Sequence, residues 1–365
     1  MLAFQRARFD RFFQLRDIFM DRNEFGRRQA AMTANWYEGV KARFSDIDAY
    51  IATRHAAYIG RWREAGRFIS PGSKLLDVGG GNLFPNLLNY LKELDVDYHY
   101  IDVDPAAAAG SQELAKEMGF EGEKFACGLN DKFDYPDSYF DVVFSSHCIE
   151  HSINLTSTFK DLNRIIKDDG FLLMAVPLGW EENPEHPYFF SPEQWVALVE
   201  DSGFEVRVAQ LGREYPENGF DYFIAAKKIN SAVSSSRVLP ERHLKSAYQF
   251  YPSNHCSVAY TGNLQVIDGG AASHMRGGDW VINISPEKAS SIILPIFVRH
   301  NWSGKISISS GGECSFHDLF SWFHYIQPCI HISDISATDV ISIRPVGKNT
   351  ASWSTEGVFY GYMLL

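Results

Sequence analysis

Lys74-Leu-Leu-Asp-Val-Gly-Gly-Gly-Asn82 is a short apolar run that opens into a glycine loop. Leu75, Leu76 and Val78 suit a buried strand, and Gly79 and Gly81 let the backbone approach a ligand closely and present amide groups at the strand's end. The next apolar run, Tyr98-His-Tyr-Ile-Asp102, ends on an acid 21 residues after Gly81, about where a ribose-binding carboxylate sits in a βαβ nucleotide site. Phe84 stands where a dinucleotide fingerprint has its third glycine. The pattern predicts a nucleotide-type site that departs from a dehydrogenase.

Working outward, residues 74–78, 98–102, 124–127, 140–146 and 171–176 read as strands. Residues 85–94, 105–118, 155–166 and 192–202 read as helices between them. That alternation implies a parallel sheet covered by helices on both faces. Residues 204–211 and 220–227 are two further strands, separated by the turn-rich Gly-Arg-Glu-Tyr-Pro-Glu-Asn-Gly of 212–219. The connection is too short for a helical crossover, so the last strand is expected to return antiparallel.

The flanks have different textures. Through 1–70 the apolar residues recur at helical spacing, with an aromatic stripe that includes Phe12, Trp36, Tyr58 and Trp62, which predicts a helical amino-terminal segment. Residues 230–240 are rich in serine and end on a proline, as a linker does. Beyond them, short β-branched and aromatic runs separated by Gly, Asn, Ser and Pro predict an all-β sandwich over 241–365. The expected domains are thus 1–70, 71–229 and 241–365, with 230–240 as the connection.

Composition narrows the function classes. The chain has 365 residues, 45% of them hydrophobic, which is enough for two cores. Its formal charge of -11 speaks against a nucleic-acid partner. The first seventy residues oppose this balance, with thirteen Lys/Arg against eight Asp/Glu, and a basic segment on an acidic body favours self-association into a homo-oligomer. No run approaches the ~20 apolar residues needed to span a bilayer. The start of the chain scatters arginines through its apolar positions, unlike a secretory signal. Five cysteines, odd in number and without a CxxC, argue against a disulfide framework and a zinc site. The expected compartment is the cytoplasm.

Four ordered stretches carry a resemblance: Leu75-Leu-Asp-Val-Gly-Gly-Gly, Tyr100-Ile-Asp-Val-Asp-Pro105, the run from Phe133 through Ser-Ser-His-Cys-Ile-Glu-His151, and the run from Arg164 through Met-Ala-Val-Pro177. In order and spacing they resemble the successive motifs of class I S-adenosylmethionine-dependent methyltransferases, over roughly 70–228. The resemblance implies a Rossmann-like α/β sheet of seven strands and S-adenosylmethionine as cofactor. It implies a cofactor site drawn from Asp77, Gly79, Gly81, Asp102, Asn130, Asp131 and His147. Two positions depart from the family pattern: Leu83 replaces a loop glycine, and Leu129 stands where many relatives have the acid that reads the adenine amino group. Asn130 or Asp131 is the expected replacement for that acid.

Methyl transfer to a hydroxyl needs in-line positioning and removal of a proton. Histidine suits the second task near neutral pH. His151, just past the fourth strand, and His186, in the loop after the fifth, are the expected acceptor-side bases. His147, Glu150 and His151 also form a set that a transition metal can use, but three such close neighbours rarely all turn inward, and no metal is expected. The carboxyl-terminal region adds Trp280, Trp302, Trp322 and Trp353 on a background of eight Lys/Arg and nine Asp/Glu over 240–365. Aromatic faces among neutral polar groups suit sugar rings, while a sandwich core is the plainer use of any one tryptophan. The expectation is an O-methyltransferase acting on a sugar or polysaccharide hydroxyl. The alternatives are an enzyme acting on a small aromatic or amine, and a non-catalytic scaffold whose β domain binds glycan.

Overall fold

The computed structural model describes residues 26–28, 30–31, 47–121, 124–180, 186–215, 219–229, 243, 245, 248–267, 272–322 and 324–365. Most of the expected amino-terminal helical segment and all of the expected 230–240 linker lie outside these residues. The chain forms two compact units, Met1–Pro177 with Gln194–Arg242, and Leu178–Glu193 with His243–Leu365.

The first unit is built on seven strands: β1 (Lys74–Val78), β2 (Asp97–Asp102), β3 (Phe125–Cys127), β4 (Phe140–Ser146), β5 (Ile166–Val176), β6 (Phe204–Tyr215) and β7 (Gly219–Lys228). Their order across the sheet is β3-β2-β1-β4-β5-β7-β6. The pairs from β3 to β5 are parallel, whereas β7 is antiparallel to both β5 and β6. This is the predicted Rossmann-like sheet with its reversed last strand. β5 begins earlier than the apolar run suggests, because the polar Lys167-Asp168-Asp169 is taken into the strand ahead of Gly170.

Helices α1 (Ile47–Ala65), α2 (Pro85–Glu93), α3 (Pro105–Glu117), α4 (Leu155–Ile165) and α5 (Pro192–Asp201) connect or cover the strands. Proline at the first turn of α2 and α3 starts each helix where a missing N–H costs nothing. Asp104 and Asn154 cap α3 and α4 by accepting backbone amides of Ala106 and Ser157. One core joins Trp62, Leu75, Leu87, Leu91, Phe144, Leu173 and Phe223. Trp62 is fully buried on α1, its ring 4.0 Å from that of Phe144 and 6.4 Å from that of Tyr98. The described end of the predicted aromatic stripe is therefore packing surface.

The second unit is all-β, as its texture predicts. Ten antiparallel strands run from β8 (Gln249–Pro252) through β9 (Val258–Ile267), β10 (Ala272–Ile284), β11 (Ser290–Arg299), β12 (Lys305–Ser310), β13 (Glu313–Asp318), β14 (Tyr325–Pro328), β15 (His331–Ile335) and β16 (Ile341–Gly347) to β17 (Gly357–Leu364). Residues 258–267 form one strand that runs through Gly262. Gly262, with φ +99°, lies against β10 so closely that a Cβ there would come within 2.8 Å of Trp280 Cα. The β9–β10 register shifts between Arg276 and Val281, so this glycine marks a bulge and not a turn. The tryptophans divide: Trp280 is fully buried, Trp302 is partly buried, and Trp322 and Trp353 are exposed. All five cysteines are free. No helix among the described residues is long and apolar enough to cross a membrane.

Trp62→Ala removes a large buried side chain from the seam between α1 and the sheet. The loss expected in the first unit's unfolding free energy is about 3–5 kcal/mol, read from denaturant midpoints followed by circular dichroism. A loss under about 1 kcal/mol would mean that α1 is not part of the core.

Candidate active site

The glycine loop sits where β1 ends between β2 and β4. Gly79 has φ +74°, and a Cβ placed on it would lie 2.3 Å from Cys148 Cβ and 2.4 Å from Cys148 Sγ. A Cβ on Gly80 would lie 2.5 Å from the Tyr100 ring. A Cβ placed on Gly81, which has φ +59°, would meet nothing within 4 Å, so the loop is open on that side. Polar contacts pin this turn. The Gly81 amide donates to Asp102 Oδ2 at 2.9 Å, and its carbonyl accepts from Tyr100 Oη at 2.7 Å and Ser111 Oγ at 3.0 Å. Ser111 Oγ in turn accepts from the Leu83 amide at 3.0 Å.

Asp102 closes β2, and its Oδ1 also accepts the Asp104 amide at 2.8 Å. Burial pushes its carboxyl up, against the pull of these backbone amides. Each oxygen keeps a further lone pair for a hydroxyl donor. Asp77, in the middle of β1, is fully buried and accepts from Tyr98 Oη at 2.8 Å. Burial drives its carboxyl up to about 7, with the Tyr98 hydroxyl lowering it and neighbouring Asp102 raising it. Asp77 Oδ1 is buried with no hydrogen-bond partner among the described residues.

Of the two expected adenine readers, Asn130 is buried and Asp131 is half-buried. Asn130 Nδ2 donates to Cys148 O at 2.9 Å and to its Sγ at 3.3 Å, so that amide group holds the loop after β4. Asp131 offers its carbonyl to Ser157 Oγ at 3.3 Å.

Beyond β4 the backbone turns sharply at His147, which has φ +52° although it is not glycine. The His147 amide is held by Ala175 O at 2.9 Å. Its ring lies between two buried carboxylates, Nδ1 3.5 Å from Glu150 Oε1 and Nε2 3.6 Å from Asp221 Oδ2. His151 Nε2 is 3.9 Å from the same Glu150 oxygen. Asp221 also pairs with the Arg61 guanidinium, both side chains being almost fully buried. Burial raises the Asp221 carboxyl, but His147 and Arg61 outweigh it and hold the group below its ordinary value. Gly212 on β6 makes room for this carboxylate: a Cβ there would lie 1.8 Å from Asp221 Oδ1.

The first unit thus brings together Asp77, Gly79, Gly81, Asp102 and Asn130, and places His147 and His151 beside Cys148, which touches Gly79. His186 belongs to the second unit. Sequence reading missed Arg61, Cys148 and Asp221. Arg61 sits between Gly60 and Trp62, and Asp221 interrupts the apolar run of β7. A charge at such a position is the available signal, since burial is tolerated only with a partner.

Residues 50–208 match the family model described as a methyltransferase domain. A non-reducing polyketide synthase, mapC of Penicillium brevicompactum, is 21% identical over 332 residues, covering 78% of this chain and 13% of its own length. Ajmaline N-methyltransferase of Rauvolfia serpentina is 33% identical over 93 residues, 25% of this chain and 31% of its own. The chain therefore spans less than a third of either relative. A solved SAM dependent methyltransferase from Aquifex aeolicus is similar at a TM-score of 0.38 and 19% identity, over 46% of this chain and 89% of its own. The match to a methyltransferase domain over residues 50–208 thus falls on the unit that also holds the seven-stranded sheet and the glycine loop.

Proposed function

We propose that this protein methylates a sugar hydroxyl, on a small-molecule or glycan acceptor of cytoplasmic polysaccharide synthesis, with S-adenosylmethionine as donor. The observation that carries the reading is the group of His147, Glu150 and His151 that follows β4 directly, joined to the cofactor loop through Cys148. Bound S-adenosylmethionine supplies an electrophilic methyl group. Gly81 leaves the space, Asp102 accepts hydroxyl donors, and the unpartnered Asp77 oxygen suits the cofactor's positive charge. His151, its imidazole beside the buried Glu150 carboxylate, takes the proton of the acceptor hydroxyl, and Glu150 stabilises the imidazolium that forms. Asn130 or Asp131 reads the adenine, and His147, held by two carboxylates, shapes the floor of the site.

A second reading takes an amine or small aromatic acceptor. Similarity to ajmaline N-methyltransferase and to phosphoethanolamine N-methyltransferase of Triticum aestivum, 25% identical over 170 residues, favours it. An unprotonated amine is already a nucleophile, so this reading does not need His151. Open space at Gly81 and the paired Asp102 weigh against a non-catalytic scaffold.

Labelled methyl donor offered with neutral oligosaccharides, and separately with phosphoethanolamine, divides the readings. Label is expected in the sugars, with His151→Ala lowering turnover about 10²- to 10⁴-fold while donor affinity stays nearly unchanged. Label in the amine alone, with turnover in the variant within about threefold, would support the second reading.

Asp77 generates a pH dependence. A cation bound beside a carboxyl poised at about 7 favours its ionised form, so donor binding releases a proton. Affinity for S-adenosylmethionine, measured by calorimetry at pH 6, 7 and 8, is expected to rise and then level off, and Asp77→Asn to flatten the rise. In the free protein the sign is opposite in its effect on stability. The folded carboxyl titrates above its unfolded value, so stability falls as pH rises from about 4 through about 7. Asp77→Asn should raise the melting temperature at pH 8 more than at pH 5. An equal shift at both pH values would show that Asp77 ionises normally.

A further inference from the structure

The proposed acceptor class directs attention to the second unit, where two of its tryptophans are left unburied. Trp322 is 72% exposed and Trp353 is 74% exposed. Both emerge from segments fastened to the same short loop after β11. Ser321, the neighbour of Trp322, donates its amide to His300 O at 3.1 Å, and the Trp353 amide donates to Asn301 O at 3.1 Å. Trp302 follows at once, its ring 4.8 Å from His300 and 5.5 Å from His274. Backbone pairing on both sides holds the loop: His300 donates to Leu319 O at 3.2 Å, and Gly304 donates to Glu356 O at 3.0 Å. Three indoles are thereby anchored around one rigid turn.

Polar groups lie among these rings. His274 Nε2 and Glu356 Oε2 are 2.7 Å apart, and Asn349 Nδ2 donates to Asp318 Oδ2 at 2.8 Å. His324 is exposed, with its ring 5.9 Å from that of His300. We propose that this end of the second unit, with Trp302, Trp322 and Trp353 as platforms and His324, Asn349 and Glu356 as hydrogen-bonding partners, is a binding site for a neutral glycan.

Three observations select that ligand. An exposed indole surface is costly unless something covers it, and a sugar ring offers a flat C–H face of matching size. The hydroxyl rim of a sugar needs side-chain donors and acceptors beside the ring, which Asn349, Glu356 and His324 provide. The near balance of eight Lys/Arg and nine Asp/Glu over 240–365 gives no field for an anionic lipid surface or a polyanion. The ligand class follows the sugar reading of the acceptor, but the site stands on residues of the second unit alone.

The test is direct binding by the full chain to an array of neutral oligosaccharides built from glucose, mannose, galactose and rhamnose, followed by titration with those that bind. Binding is expected to weaken tenfold or more in Trp322→Ala and in Trp353→Ala, with the circular dichroism spectrum and S-adenosylmethionine affinity of the wild type. Val266→Ser, which alters an exposed apolar residue on β9, should leave glycan binding unchanged. Absence of binding across the array, or wild-type affinity in the two tryptophan variants, overturns the proposal. A change of oligomeric state in those variants also overturns it and assigns the face to a second copy of the chain. Methyl transfer is scored separately: glycan binding without sugar methylation removes the acceptor reading and leaves the binding site, and sugar methylation without glycan binding does the reverse.

Discussion

Gly79 and Cys148 share a space that admits one Cβ atom. That approach of the turn after β1 to the turn after β4 requires glycine at 79, and it fixes the distance between the two chemically active edges of the first unit. On one side of the contact the loop is tied by its Gly81 amide to Asp102 and by its carbonyl to Tyr100 and Ser111. On the other side, Cys148 is flanked by His147 and lies two residues before Glu150. The glycine loop and the histidine–carboxylate group after β4 are therefore positioned by one packing constraint, with Asn130 clasping the same cysteine from a third direction.

Behind this contact lies a buried group of charges. Arg61 on α1, Asp221 on β7 and His147 after β4 come from three distant parts of the chain, and the carboxylate stays ionised because its partners offset its desolvation. Buried ion pairs are weak contributors to stability, since the gain in attraction is largely consumed in removing both charges from water. Their value here is geometric. The pair ties α1 to the sheet beside a histidine in left-handed backbone conformation, a strained state that persists only when its surroundings hold it.

Much of the first unit is legible in the sequence because each βα step repeats the same local signals. Strands 74–78 and 140–146 occur at the predicted bounds, and the reversed β7 follows from a connection too short to cross over. Glycine carries uses that leave no local pattern. Gly79, read as a place of close approach to a ligand, also accommodates Cys148, and Gly262 marks a bulge against Trp280. Both follow from close approach between segments far apart in sequence. Arg61 and Asp221 each show only a charge among apolar neighbours, and that the two pair with one another leaves no local pattern. The exposure of Trp322 and Trp353 was likewise beyond sequence, since a β-rich segment buries some indoles and presents others with the same flanking residues.

On this reading, the loop pinned by Asp102 is where S-adenosylmethionine binds. Calorimetric titration of the full chain with S-adenosylmethionine, compared with Asp102→Ala, tests it most directly. Saturable binding by the wild type is expected, weakened in the variant by about 1.5–3 kcal/mol for the loss of charged hydrogen bonds, with an unchanged circular dichroism spectrum. No binding by the wild type, or the same dissociation constant in the variant, would contradict it.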